Sequence, residues 1–269
     1  MDEPKRFPQP VEALFLILGT IGLLDLTVVF WSRSSDAADS LQNLQEISLY
    51  FFIIGGLLFG IVPVLYSVWR RYDLKALFRY RPVPAVILVY SLLCALALTV
   101  IGDELDRLLG MLITIPDWLY ESMRPLKAHT VGEWIMVIAG AVLVAAVAEE
   151  TMFRGFLQVA LEKKGDPTRA VILSSLTWTL SHQNPYWAVE IFIIGIFIGF
   201  LAWRTNSLWP GIVVHLVNNL IAVLLLNMGE SDALGWYEWH GHVSPLVLIP
   251  AVFLLVWSLR AISSVYRSA

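Results

Sequence analysis

The sequence predicts an all-α, polytopic membrane protein of about eight transmembrane helices. Two observations carry that reading. The 269 residues are 58% hydrophobic and 15% charged, with 11 tryptophans, whereas soluble domains carry roughly 25% charge. The mean hydropathy is +0.70, and the apolar residues fall into eight runs that approach the ~20 residues needed to cross hydrocarbon. The net charge of -4 therefore says little about partners.

The runs are taken in order. The first, residues 11–31, follows Lys5 and Arg6 and so invites comparison with a secretory signal. Its apolar length exceeds a signal core, and only "SSDAADS" offers a cleavage site, so a retained span is expected. The second, 47–69, leads into the basic turn "RRYDLKALFRYRP", a topology determinant expected to touch anionic headgroups. The third, 83–101, holds Cys94. A single cysteine excludes an intramolecular disulfide and a cysteine metal cage.

The connection Gly102–Thr130 carries apolar residues at helical spacing with acidic ones between, and is expected to lie along the membrane surface, with a lid over the site as the alternative. The fourth run, 131–160, is followed by "GDPTRA", which restarts the chain, with Asp166 a good N-cap and Pro167 suited to the first helical position. The remaining runs are 168–182, 187–203, 208–228 and 245–262. The chain reads as one transmembrane domain, 1–269, with a core at 131–228, and nothing in it suggests nucleic acid as a partner.

Lysine and arginine set the orientation. With the N-terminus inside, 13 fall on the cytoplasmic side: Lys5, Arg6, Arg70, Arg71, Lys75, Arg79, Arg81, Lys163, Lys164, Arg169, Arg204, Arg260 and Arg267. Arg33, Arg107, Arg124 and Lys127 are the 4 outside, and Arg154 lies within a span. Both termini are expected in the cytoplasm, and a bacterial inner membrane fits the bias.

The chemistry gathers in the fourth run, where "AVLVAAVAEETMFRGF" places Glu149, Glu150 and Arg154 in apolar surroundings. A charge inside a span costs roughly 2.5–3.5 kcal/mol on insertion scales and by default marks a function. Snorkelling of all three charges to the interface is the structural alternative. Neighbouring helix positions point about 100° apart, so the two glutamates have different tasks. Arg154 follows Glu150 at i, i+4, the favourable order for a pair on one face. That leaves Glu149 as the carboxylate available for proton transfer.

Two further spans supply partners. His182 lies at the end of "WTLSH", with Trp178 four residues earlier on the same face. His215 and Asn219 in "HLVNN" share a face at i, i+4, either as interhelical hydrogen-bonding groups or as part of a site. Asn218 faces elsewhere and reads as interhelical glue. A carboxylate and a histidine can hold and deprotonate water, while histidine and asparagine can stabilise an oxyanion.

These residues resemble the CAAX prenyl protease and bacteriocin-processing (CPBP, or Abi) intramembrane proteases. "EETMFR" corresponds to the family's E-E-x-x-x-R, and "HLVNN" to its H-x-x-x-N. "WTLSH" matches F-x-x-x-H with tryptophan in place of phenylalanine. The resemblance implies that Glu149 activates water, His182 helps to hold it, and His215 and Asn219 form the oxyanion hole, with Glu150 and Arg154 in support. It implies an endopeptidase acting on a membrane-associated substrate of the prenylated or C-terminally anchored class, with membrane lipids as the other partner.

Members are often called metalloproteases. This chain lacks H-E-x-x-H, so no cofactor is expected, with zinc as the less favoured alternative. A non-catalytic immunity or partner-binding protein on the same scaffold is the second functional reading. A proton-coupled transporter is the third, for which paired broken spans are missing.

Overall fold

All eight apolar runs form helices, because a chain in hydrocarbon must satisfy its backbone polar groups internally. The computed structural model describes residues 6–34, 41–228 and 235–266. Lys5, Arg267 and residues 35–40 of the serine-rich stretch, all read above, lie outside the described residues. In chain order the helices are α1 (Pro10–Ser34), α2 (Leu41–Trp69), α3 (Leu74–Phe78), α4 (Ala85–Leu112) and α5 (Asp117–Ser122). The long α6 (Val131–Glu162) comes next, then α7 (Pro167–Ser181), α8 (Ala188–Thr205), α9 (Trp209–Met228) and, after a short hairpin, α10 (Pro245–Val265).

Among the described residues seven helices are long and apolar enough to cross a membrane, and the chain is an all-α, multi-pass membrane protein. The remaining apolar run forms the shorter α7, whose 15 residues reach about 22 Å at 1.5 Å per residue, against a ~30 Å hydrocarbon core. A correction concerns residues 102–130. The third span does not stop at Ile101 but continues to Leu112, and only α5 and a 3₁₀ turn at Arg124–Leu126 remain of the expected surface helix.

The chain divides into two compact units, Met1–Arg79 with Ser122–Ser174, and Tyr80–Glu121 with Ser175–Ala269. In the first, α2 lies against α6 through small residues. A Cβ on Gly56 would stand 2.8 Å from Val144 Cγ1, and one on Gly60 3.2 Å from Ala148 Cβ. This small-xxx-small contact lets two backbones approach in lipid, where packing and not water exclusion drives association. α6 begins with a capping box, in which Glu133 N–H donates to Thr130 Oγ1 at 3.2 Å and Thr130 N–H to Glu133 Oε2 at 3.2 Å. α1 is tied to the end of α2, where Tyr66 and Tyr72 hydroxyls and Arg70 all donate to the Glu12 carboxylate.

In the second unit α4 packs with α8, α9 and α10. Its last turns carry Asp103, Glu104, Asp106 and Arg107, each with a partner in this unit. Arg107 donates to Asp103 at 3.1 Å. The Asp106 and Glu190 carboxyls lie close enough to interact electrostatically. Gly102 leaves room for the Glu190 carboxylate, since a Cβ there would lie 2.5 Å from Glu190 Oε1 and that side chain would have to shift. Glu104 receives Val243 N–H at 2.7 Å and meets His242 Nδ1 at 2.9 Å. It thereby holds the antiparallel hairpin Glu238–Trp239 and His242–Val243, paired Glu238 to Val243 and Trp239 to His242. Beside it, burial and the Asp103 carboxylate push the Tyr237 hydroxyl pKa up.

Candidate active site

α6 carries the carboxylates on an α-helical turn, Ala145–Glu150, set between two π-helical stretches, Ile138–Val144 and Thr151–Leu157. π turns inside α-helices recur at functional sites. Here the lower stretch is held from outside, since Ser174 Oγ donates to the Phe153 carbonyl at 2.9 Å. Phe59 stacks on Phe153 with ring centroids 5.9 Å apart, and Phe156 meets both Tyr66 and Phe78.

The two glutamates occupy different environments, as their spacing requires. Glu150 is 0% exposed, and Arg154 Nη1 donates to its Oε1 at 2.9 Å with the guanidinium also 0% exposed. Snorkelling is therefore ruled out for this pair. Glu149, the adjacent residue, is half-buried. The pairing read from the i, i+4 spacing thus stands in three dimensions.

Below Arg154 the same face continues in a way that the motif reading missed. Gln158 is fully buried and its Nε2 donates to Glu162 at 2.9 Å. Glu162 is bidentate with Arg79, whose Nη1 donates at 3.2 Å and whose Nη2 forms the second bond. Arg79 ends α3 in the left-handed conformation, φ 50°. Glu150, Arg154, Gln158 and Glu162 step by four through an apolar sequence, and that periodicity was the signal available.

The second unit holds the other candidates. His182 is exposed on the turn that ends α7, and Gln183 after it takes φ 52°. Its ring stands 5.1 Å from that of Trp178 at 88°, and its Nδ1 lies 2.8 Å from the Trp178 carbonyl oxygen. His215 is 3% exposed, and its ring lies 5.2 Å from the same indole at 69°. Trp178, His182 and His215 are thus brought together. Asn219 is half-buried one turn along α9 from His215. Its neighbour Asn218 accepts from Thr99 Oγ1 at 3.3 Å, the interhelical contact expected of it.

The Asp106–Glu190 pair was not foreseen, because α4 was expected to end before Asp106. Among the described residues, neither unit gathers three His, Cys, Asp or Glu side chains of the kind that a metal site needs.

Residues 131–221 match the family described as type II CAAX prenyl endopeptidase Rce1-like. The matched stretch contains Glu149, Glu150, Arg154, His182, His215 and Asn219, the residues on which the resemblance was drawn. The likeness is to a protease family and is confined to that stretch of a multi-pass membrane chain. No curated protein and no solved structure matches the chain.

Proposed function

We propose that this chain, which carries an Rce1-like segment at residues 131–221, is an intramembrane endopeptidase. It hydrolyses a peptide bond in a membrane-associated substrate by means of a glutamate-activated water. Glu149 takes a proton from that water as the oxygen attacks the scissile carbonyl, and His182 helps to hold the water in place. His215 and Asn219 donate to the oxyanion of the tetrahedral intermediate. Glu149 then returns the proton to the leaving nitrogen, so the balance is one water consumed, one acid and one amine formed. Positioned proton transfer contributes about 10²–10⁴ in rate, and each oxyanion donor about 10²–10³.

The observation that supports this reading best is the meeting of His182 and His215, from separate helices, on one indole. The buried Glu150–Arg154 pair supports it further, since it gives Glu150 a supporting place and sets it apart from the half-buried Glu149. The substrate class is a prenylated, lipid-anchored or transmembrane-tailed polypeptide, and residues 131–228 are the catalytic core. The chain sits in a bacterial inner membrane with both termini cytoplasmic, and the reaction uses no metal.

The test compares purified wild type with Glu149→Gln and Glu150→Gln on a panel of membrane-anchored peptides, with and without a zinc chelator, and products read by mass spectrometry. Cleavage by the wild type, its loss at Glu149→Gln, a milder effect at Glu150→Gln and indifference to the chelator are expected. Retained cleavage at Glu149→Gln, or loss on chelation, would overturn the mechanism. A wild type that cuts no peptide while protecting cells against a bacteriocin would make this a binding protein.

A further inference from the structure

We infer that Trp178 is a positioning residue: its indole holds both imidazoles, and its main-chain carbonyl fixes which nitrogen of His182 carries the proton. The inference rests on the proposed hydrolytic reading and deepens it, by dividing the work between the two histidines.

His182 is exposed and stands on a turn, so burial does not hold its ring. Two contacts do. The first is Nδ1 to the Trp178 carbonyl at 2.8 Å. A carbonyl oxygen only accepts, so Nδ1 carries the hydrogen in this arrangement. In the neutral imidazole Nε2 is then the lone-pair nitrogen. His182 therefore presents an acceptor, which suits holding a water through its O–H and does not suit donating to an oxyanion. Oxyanion donation falls to His215 and Asn219.

The second contact is the indole, which meets the His182 ring nearly perpendicular, at 88°. Such edge-to-face packing is the preferred arrangement of aromatic rings. Trp178 can act as a reference because it is itself only 3% exposed. His215 packs on the same ring from α9. One rigid side chain thus sets where two imidazoles from different helices stand, at the position where the family pattern has phenylalanine. The i, i+4 bond and the shared ring are independent restraints, and each leaves His182 with little rotational freedom.

The test uses the full chain in nanodiscs, as wild type, Trp178→Phe and Trp178→Leu. Histidine ring signals are recorded with ¹⁵N-labelled histidine and assigned through His182→Gln and His215→Gln. Cleavage of the peptides above is resolved into kcat and KM. In the wild type, His182 is expected to show protonated Nδ1 and bare Nε2. Both histidines' ring-proton shifts should move in Trp178→Phe and further in Trp178→Leu. The kcat of Trp178→Leu should fall at least about tenfold with KM within twofold, and phenylalanine should restore kcat to within about threefold.

A bare Nδ1 in His182, a response from only one histidine, unchanged kcat in the leucine variant, or a loss carried by KM would each overturn the inference. If the leucine variant fails to fold, the wild-type tautomer and the phenylalanine shifts decide. If the wild type cuts nothing, the hydrolytic reading falls, and the histidine signals alone decide whether Trp178 positions the pair.

Discussion

Removing the guanidinium of Arg154 should damage the fold more than removing the whole ion pair. Arg154 and Glu150 are both 0% exposed and joined at 2.9 Å. Arg154→Met leaves the carboxylate buried with its cation gone, which costs about 3–5 kcal/mol. At 1.36 kcal/mol per decade, the folded-to-unfolded ratio falls roughly 10²- to several 10³-fold. At about 2–4 °C per kcal/mol for chains of this order, Tm drops by about 6–20 °C. Glu150→Leu strands the arginine and should cost a similar amount. In the double variant Glu150→Leu/Arg154→Met both charges are gone, and replacement of a buried pair by apolar side chains is often neutral or stabilising. Its Tm should therefore lie above that of either single variant. The protein supplies its own probe: Cys94 is the one cysteine and is 0% exposed, so a thiol-reactive dye reports unfolding during a thermal ramp. A double variant whose loss equals the sum of the singles would refute the coupling.

Three other expectations follow from neighbouring contacts. Asn219→Ala should lower kcat about 10²–10³-fold as a lost oxyanion donor, whereas Asn218→Ala, which loses only the Thr99 bond, should cost about 0.6 kcal/mol of stability and leave kcat alone; peptide cleavage and the dye ramp separate the two. Gly102→Val drives a side chain into Glu190 and should cost about 1–3 kcal/mol, with Glu190→Ala in the same chain restoring most of the lost Tm. Thr130→Ala removes the N-cap of α6 and should cost about 1 kcal/mol, seen as a small Tm shift with unchanged cleavage per folded molecule.

What could be read from the sequence was what is local. The Glu150–Arg154 pair spans one helical turn, and the Asp166 cap that starts α7 spans three residues, with Arg169 N–H donating to Asp166 Oδ2 at 3.0 Å. Both follow from helix geometry alone. The end of α4 misled because Asp103, Asp106 and Arg107 look like residues leaving the membrane. Asp103 and Arg107 pair locally at i, i+4, but Glu190 beside Asp106 and the hairpin that Arg107 reaches lie far along the chain, and no spacing rule reaches them. The contact of Trp178 with His182 was likewise visible as an i, i+4 pair, while that with His215 depends on how α9 packs. The Arg79–Glu162 bond needed the left-handed turn at the end of α3 to bring its arginine back onto α6.

The two π-helical stretches on either side of Ala145–Glu150 make residue count itself a determinant of this helix. Relative to an α-helix, a π turn accommodates an additional residue without lengthening the helix in proportion. Removing one residue from 151–157 would let that stretch relax to an ordinary α-helix while Gln158 and Glu162 keep their place below Glu150 and Arg154, and the same holds for 138–144 and the face that α2 packs through Gly56 and Gly60. Removing one from Ala145–Glu150, where no residue is in excess, would instead turn everything below it by about 100°. The two π stretches therefore tolerate a change of length, and the short α-helical turn that carries the glutamates does not.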